Sequence, residues 1–396
     1  MSIIISDCPK IQLVLDKLVS LILQNNGRLN PNIQIISSEG ELSIKSKLNR
    51  KDLAEIIYVP DACLPSIEDF NLVLDGDTIV AKTHIKHNAS NLQVEIFLLM
   101  IDLFNLTKKI KFHCKTWPVL ALKNAPNIIN HLQKGSRYEL KNLSLSDDII
   151  SSFIRTRWFK YSTESNERMI LLPLIDCINH HHNGQAFITG AAESGNKGVS
   201  VINSKPVASS DECFVRYNAS NDALDHYIIY GFVDIFASMP LSVPHFIDLG
   251  IIGKLKINRI FKQKLPLNRN VKENDLPYPK DLHNYFPEIL ENKNKLLEVS
   301  GLIIPPKEAV FSLRRILQIL IKMLSPSIAD TDLLKCTLHC ETTILRMNHR
   351  YYDELQVLLH DSPPESKLSA ESITSLSLLV THQKEHFFEY QKSFSG

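Results

Sequence analysis

The chain has 396 residues, 44% of them apolar and 22% charged, with 44 basic against 43 acidic side chains and a net charge of +1. That balance gives no electrostatic reason to expect nucleic acid or an anionic membrane as partner, and the length predicts two domains with ample material for buried cores. The N-terminus lacks the basic start and long apolar core of a secretory signal, and no uncharged apolar run approaches the roughly 18 residues of a membrane span.

In chain order, Ile11, Leu15, Leu18 and Ile22 recur at spacings of three and four, predicting an amphipathic helix over residues 9–24 that stops at Asn25-Asn26-Gly27. Short β-like runs follow at Ile33 to Ile36, Leu42 to Ile44 and Ile56 to Pro60, where the proline ends the strand. From Leu92 the pattern turns helical, with an apolar segment over Val94 to Phe104. Further helical pieces run to about Tyr161, interrupted by Pro118 and Pro126.

Met169 to Phe232 returns to strands and turns. Asn183-Gly184 reads as a turn, and Ser194 to Gly198 as a hairpin loop before a strand at Val199 to Asn203. Beyond Asp234 a proline-bearing linker reaches about Pro279, and the remainder reads as helices: Ala309 to Leu324, Asp332 to Leu359 and Ser369 to Tyr390. There is no internal repeat and no low-complexity tract.

Seven cysteines are scattered through the chain, an odd number that reads as reduced thiols in a cytosol. Cys336 and Cys340, with His339 between them, have helical spacing and no matching second pair, so an ordinary helix face is expected there and no metal.

The chemistry concentrates between Leu171 and Phe232. An apolar run ends abruptly on Asp176, Asn179 and His180, polar groups that a buried strand carries only with partners. A second segment, Asp211-Glu-Cys-Phe-Val-Arg-Tyr217, feeds a short strand ending on a tyrosine that can bury its ring and keep its hydroxyl available. His180, His181 and His182 beside Asp176 raise a metal-dependent hydrolase. Neighbours on an extended strand point to opposite faces, however, so the three rings are not expected to converge on one ion.

Leu172-Pro-Leu-Ile-Asp-Cys-Ile-Asn-His180, then Asp211 to Tyr217, then Tyr230-Gly-Phe232, resemble the core of SET-domain protein methyltransferases. Within them the pattern resembles the branch that includes the Rubisco large-subunit lysine methyltransferase and the actin histidine methyltransferase. Ser43 to Pro60 is similar to the first SET strands, Leu92 to Tyr161 to the family's helical insertion, and Asn348 to Tyr352 to part of its helical substrate-binding domain. The fold implied is α+β. A β-rich SET domain over residues 1–240, with a helical insertion at about 88–160, precedes a linker and an all-α substrate-binding domain over 241–396.

The resemblance implies S-adenosyl-L-methionine as cofactor, a protein substrate and no metal; from the charge balance no nucleic acid or membrane partner is expected, from the thiols a cytoplasmic location, and the chain is expected to be a monomer. The resemblance makes Tyr217 the catalytic tyrosine and gives Asn179 and the backbone of His180 the amino-acid end of the cofactor. Glu39 and Gly40 stand near the family's glycine element, although the register of Ser38 to Ser43 departs from it. Arg157 and Asp176 are implied as a supporting ion pair or as substrate contacts, and Trp158-Phe159 as aromatic walls that suit a lysine more than a histidine. The glycine that follows the tyrosine in the family is Asn218 here, a residue that tolerates a left-handed backbone. A degenerate SET fold that has lost its cofactor and acts as a binding module is the competing expectation.

Overall fold

The computed structural model describes residues 3–48, 54–82, 89–107, 121–122, 124–136, 150, 153–154, 156–162, 167–185, 187–191, 197–203, 211–217, 222–237, 239–259, 279–282, 285–364 and 367–394. The protein is α+β, as the sequence predicts. It divides into two compact units, residues 1–117 with 142–219 and residues 118–141 with 220–396, and each has its own apolar core.

The first unit opens with strand β1 (Ile4–Ser6) and the helix Pro9–Gln24. Proline at the first helical position is preorganised for the turn, and Ile11, Leu15, Leu18 and Ile22 are all essentially inaccessible. Each contributes about 1.5–3 kcal/mol by leaving water, and Leu15→Ala would cost about 2–5 kcal/mol.

Strands β2 (Arg28–Leu29), β3 (Ile33–Ser38), β4 (Glu41–Ser46) and β5 (Glu55–Pro60) follow. β3 lies parallel to β1 and antiparallel to β4, with Ile33, Ile35, Leu42 and Ile44 on the buried face. The hairpin β6 (Asn71–Asp75) and β7 (Thr78–Lys82) leads to the helix Asn91–Leu106. That helix starts on a reciprocal cap: the Ser90 hydroxyl accepts from the Gln93 amide at 3.2 Å, and the Gln93 side chain accepts from the Ser90 amide at 3.1 Å.

The remaining strands of this unit are β8 (Phe159–Ser162), β9 (Glu167–Ile170), β10 (Asn179–Gln185), β11 (Ile188–Ala191), β12 (Lys197–Ile202) and β13 (Phe214–Val215). β11, β12, β5 and β2 form one antiparallel sheet, β8 and β9 a hairpin, and β10 and β13 a parallel pair.

Two expectations are corrected here. Tyr161 belongs to a strand and not to a helix, because Phe159 to Ser162 pairs with Glu167 to Ile170 and buries Tyr161. Asn183-Gly184 sits inside β10, whose bulge places both His180 and Gln185 opposite Val215; a Cβ at Gly184 would lie 2.5 Å from the Val215 carbonyl carbon. Pro118, Asn218 and the loop residues 194–196 lie outside the described residues.

The second unit contains the helix Pro126–Gly135, the helix Ala223–Tyr230 and strands β14 (His245–Asp248), β15 (Lys254–Asn258), β16 (Glu288–Lys293) and β17 (Leu296–Ser300). The four strands make a sheet in the order β14-β15-β17-β16. Residues 245–300 therefore hold a sheet where a linker and then helices were expected, and the carboxy-terminal part of the chain is not all-α. Its helices are Phe311–Leu324, Asp330–His360 and Lys367–Lys392, in the places the apolar spacing predicts.

This unit buries two polar clusters. Asp222 caps the helix Ala223–Tyr230, accepting from the Asp225 amide at 2.9 Å and from the Leu241 amide at 2.7 Å, and pairs with Arg259 at 2.6 Å with both side chains fully inaccessible. Burial opposes the Arg259 charge, but Asp222 and Asp225 outweigh it and hold the guanidinium above its usual range. Asn348 is also fully buried; it accepts from the Val243 amide at 3.0 Å and donates to the Ser242 hydroxyl at 2.9 Å and the Ile344 carbonyl at 2.8 Å. No helix among the described residues is long and apolar enough to cross a membrane.

Candidate active site

The polar end of the central apolar run is aimed by an unusual turn. Ile175 donates its amide to the Pro173 carbonyl at 2.7 Å, closing a three-residue turn whose middle residue, Leu174, has φ 61° and ψ −38°. A leucine at positive φ is strained, and this one is 2% exposed, so core packing on its side chain holds the turn. One 3-10 turn, Ile175–Cys177, then reverses the chain into β10.

Asp176 leaves that turn toward Arg157, and a carboxylate oxygen meets the guanidinium at 2.8 Å. The two side chains are only 15% and 8% exposed, and the guanidinium carbon lies 5.2 Å from the Phe104 ring centroid on the helix Asn91–Leu106. Arg157 and Asp176 are thus brought together by the fold, mostly withdrawn from solvent.

Asn179 begins β10. Its amide group donates to the Leu42 carbonyl of β4 at 3.2 Å and to a Glu212 carboxylate oxygen at 2.7 Å. The segment 211–213 joins the β4 edge, since the Cys213 amide donates to the Ile44 carbonyl at 2.7 Å and Lys45 bridges Glu212. β13 then runs parallel to β10, with Asn179 opposite Phe214 and His180 opposite Val215.

Tyr217 follows β13 and is tied twice to the other segment, once within β10 and once to the residue just before it. Its amide donates to His180 Nδ1 at 3.1 Å, and its hydroxyl donates to the Ile178 carbonyl at 2.8 Å. An imidazole that accepts at Nδ1 carries its N–H on Nε2, so the tautomer of His180 is set by this contact. Asn179, His180 and Tyr217, 38 positions apart at the extremes, thereby share one end of the β10–β13 pair.

The other histidines are turned to local tasks. His181 Nδ1 accepts from the Asn183 amide at 3.1 Å, and its ring lies 5.5 Å from Phe214. The rings of His181 and His182 are 4.4 Å apart, contrary to the opposite faces expected of strand neighbours, because the bulge breaks the alternation in β10.

Glu39 and Gly40 form the two-residue turn of the β3–β4 hairpin, both at positive φ, and the Glu39 amide donates to Asp7 Oδ2 at 2.6 Å. The fold gives this pair a structural task at the hairpin. Phe159 packs edge-to-face against Phe187 at 5.3 Å, and both rings stay partly accessible.

Two neighbours of the site were not singled out from sequence. Glu212 lies inside the Asp211 to Tyr217 segment, where a charged residue two positions before the apolar pair Phe214-Val215 is the available signal. Phe187 had none beyond being an isolated aromatic. Burial, and then the Glu212 charge, push the adjacent Cys213 thiol up to about 12, which leaves it protonated and unreactive.

No family model matches the chain, and no curated protein matches it. Among solved structures, the SET domain of LSMT bound to MeLysine and AdoHcy aligns over 96% of this chain and 91% of its own, with 12% identity and a TM-score of 0.44. Rubisco LSMT bound to sinefungin and monomethyllysine aligns over 96% and 92%, with 10% identity and a TM-score of 0.42. The LSMT SET domain bound to lysine and AdoHcy aligns over 97% and 92%, with 12% identity and a TM-score of 0.41. Likeness of this degree adds nothing to what the residues of the site say for themselves.

Proposed function

We propose that this chain is an S-adenosyl-L-methionine-dependent protein methyltransferase of the SET type that modifies a lysine side chain of a non-histone protein. The observation that carries the reading is the junction of Asn179, His180 and Tyr217 on the parallel β10–β13 pair, reached from two segments that the sequence resemblance had already matched separately. The donor set fits such a cofactor. A tyrosine oxygen and a backbone carbonyl oxygen, Tyr217 and Ile178, lie 2.8 Å apart, and paired oxygens of this kind hold a polarised methyl group by weak C–H···O contacts.

The cofactor, when bound, supplies an electrophilic methyl on its sulfonium. The protein's part is positioning, because an in-line displacement by a neutral amine needs neither a metal nor a covalent enzyme intermediate. Tyr217 steers the incoming amine through its hydroxyl, and the double tie to Ile178 and His180 keeps that hydroxyl fixed before substrate arrives. Asn179 and the His180 backbone hold the amino-acid end of the cofactor. Glu39 and Gly40 are proposed as contacts through the backbone of their turn, where glycine at φ 82° permits close approach.

A substrate lysine with an unperturbed pKa of about 10.4 must shed its proton, and apolar walls favour the neutral form by excluding water. Phe159 supplies such a wall. Arg157 and Asp176, paired and largely withdrawn from solvent, support the substrate side by fixing the turn that precedes β10. The proposed partner is a protein, met in the cytoplasm by a monomer.

The test is isothermal titration of the full chain with S-adenosylhomocysteine, repeated on Asn179→Ala, followed by transfer of radiolabelled methyl groups into cell lysates with mapping of the modified residue. Micromolar binding that the substitution weakens, and label on lysine, is the expected result. A folded protein that takes up no cofactor would replace this reading with a binding module, and label on histidine would correct the target.

A further inference from the structure

The amide of Asn179 has two hydrogens, and both are engaged within the protein: one toward the Leu42 carbonyl at 3.2 Å, the other toward Glu212 at 2.7 Å. Its carbonyl oxygen has no hydrogen-bond partner among the described residues, and the side chain is half-buried. A primary amide has nearly the same shape when rotated by half a turn, so its orientation is set only by what surrounds it.

The two acceptors differ in what they enforce. The Leu42 contact is at the long end of the ordinary range, whereas the Glu212 contact is short and charge-assisted. An ionised carboxylate accepts and never donates, so a flipped Asn179 would bring two oxygens together at that point. Glu212 therefore excludes one of the two orientations, and it sits where the backbone holds it, on a segment paired with β4 through Cys213 and Ile44.

On the reading that this site takes S-adenosylmethionine, we propose that Glu212 is a positioning residue that fixes Asn179 as a hydrogen-bond acceptor. The site then takes the cofactor by its cationic ammonium, a donor, and not by its carboxylate, which could only repel both the Asn179 oxygen and Glu212. The negative charge of Glu212 reinforces the same choice. In this arrangement the selectivity for one end of the ligand resides in a residue that need not touch it.

Isothermal titration of the full chain with three ligands tests this: S-adenosylhomocysteine, its decarboxylated analogue, which keeps the amine, and 5′-methylthioadenosine, which lacks both amine and carboxylate. Glu212→Ala is expected to weaken the first two by roughly tenfold, the scale of one charged hydrogen bond, and to leave the third within about twofold. Glu212→Gln, which retains an acceptor oxygen for the amide, is expected to recover most of the loss. Equal weakening of all three ligands, or a decarboxylated analogue indifferent to Glu212→Ala, overturns the positioning role. If the unsubstituted protein binds none of the three, the cofactor reading itself falls. If it binds them and Glu212→Ala changes nothing, only the present inference does.

Discussion

Arg157 and Asp176 offer a direct way to separate a supporting ion pair from a substrate contact. Their 2.8 Å pairing lies at 8% and 15% side-chain exposure, where removing one partner leaves the other charge in a poorly solvated place at a cost of about 3–5 kcal/mol. Arg157→Leu also removes the guanidinium from the Phe104 ring, worth about 0.5–1 kcal/mol more. In a cooperative unit of roughly 200 residues each kcal/mol moves the melting temperature by about 2–4 °C, so Arg157→Leu should melt about 7–24 °C below the parent protein. Asp176→Leu should fall by a comparable amount, while the double replacement should recover most of the loss, because two apolar side chains leave no uncompensated charge. Differential scanning calorimetry of the four proteins closes this cycle and gives the coupling directly. Singles that melt with the parent protein but raise the KM for the substrate protein would refute the reasoning and make Arg157 a substrate contact.

Tyr217→Phe should lower methyl transfer on the order of a hundredfold while cofactor affinity measured by titration changes little, since the hydroxyl bonds to Ile178 and not to Asn179. Asn348→Leu should destabilise the second unit by about 3 kcal/mol, readable in urea unfolding, because the Val243 amide and the Ser242 hydroxyl lose a buried partner together. Gly40→Ala places a side chain at φ 82° and should lower stability by about 1 kcal/mol in the same assay; a fall in cofactor affinity beyond that would support backbone contact at this turn. His131, His245 and His386 are all held below the usual histidine range by burial. The unfolded chain then binds more protons than the folded one, so stability is full above the unfolded pKa of about 6.5 and declines as pH falls below it. Urea midpoints from pH 8 to 5.5 should therefore drop, and replacing His131 with Gln should flatten the slope.

Regular spacing made much of the fold readable. Ile11, Leu15, Leu18 and Ile22 announce their helix because all four fall on one buried face, the runs at 33–38 and 41–46 alternate as half-buried strands do, and 55–60 is a short continuous apolar run, buried from Ile56 to Pro60. The sheet in 245–300 went unread although Lys254-Leu-Lys-Ile-Asn258 alternates cleanly, because each of its strands is short and set among prolines, glycines and lysines that resemble a linker. Tyr161 was drawn into a helix by its neighbours, and only the partner strand Glu167–Ile170 reveals the hairpin. In the candidate site, Asn179, His180 and Tyr217 stood out as polar groups closing apolar runs. The Asn179–Glu212 contact did not, since 33 residues separate the pair and no local rule links them. The turn at Leu174 carries no sequence mark at all, because glycine would be the ordinary signal for positive φ and leucine is its opposite.

That turn bears on how the candidate site comes to be assembled. A leucine at φ 61° costs about 1–3 kcal/mol over its relaxed backbone, so Pro173 to Ile175 should hold this shape only as a minor population in a free chain. The closed core around the Leu174 side chain enforces it, and β10 then starts where Ile178 and His180 can receive Tyr217. The site is in this sense the last thing the first unit makes. During refolding, cofactor binding should lag behind the return of secondary structure, and any partly opened form of the unit should be without a site well before it is without strands.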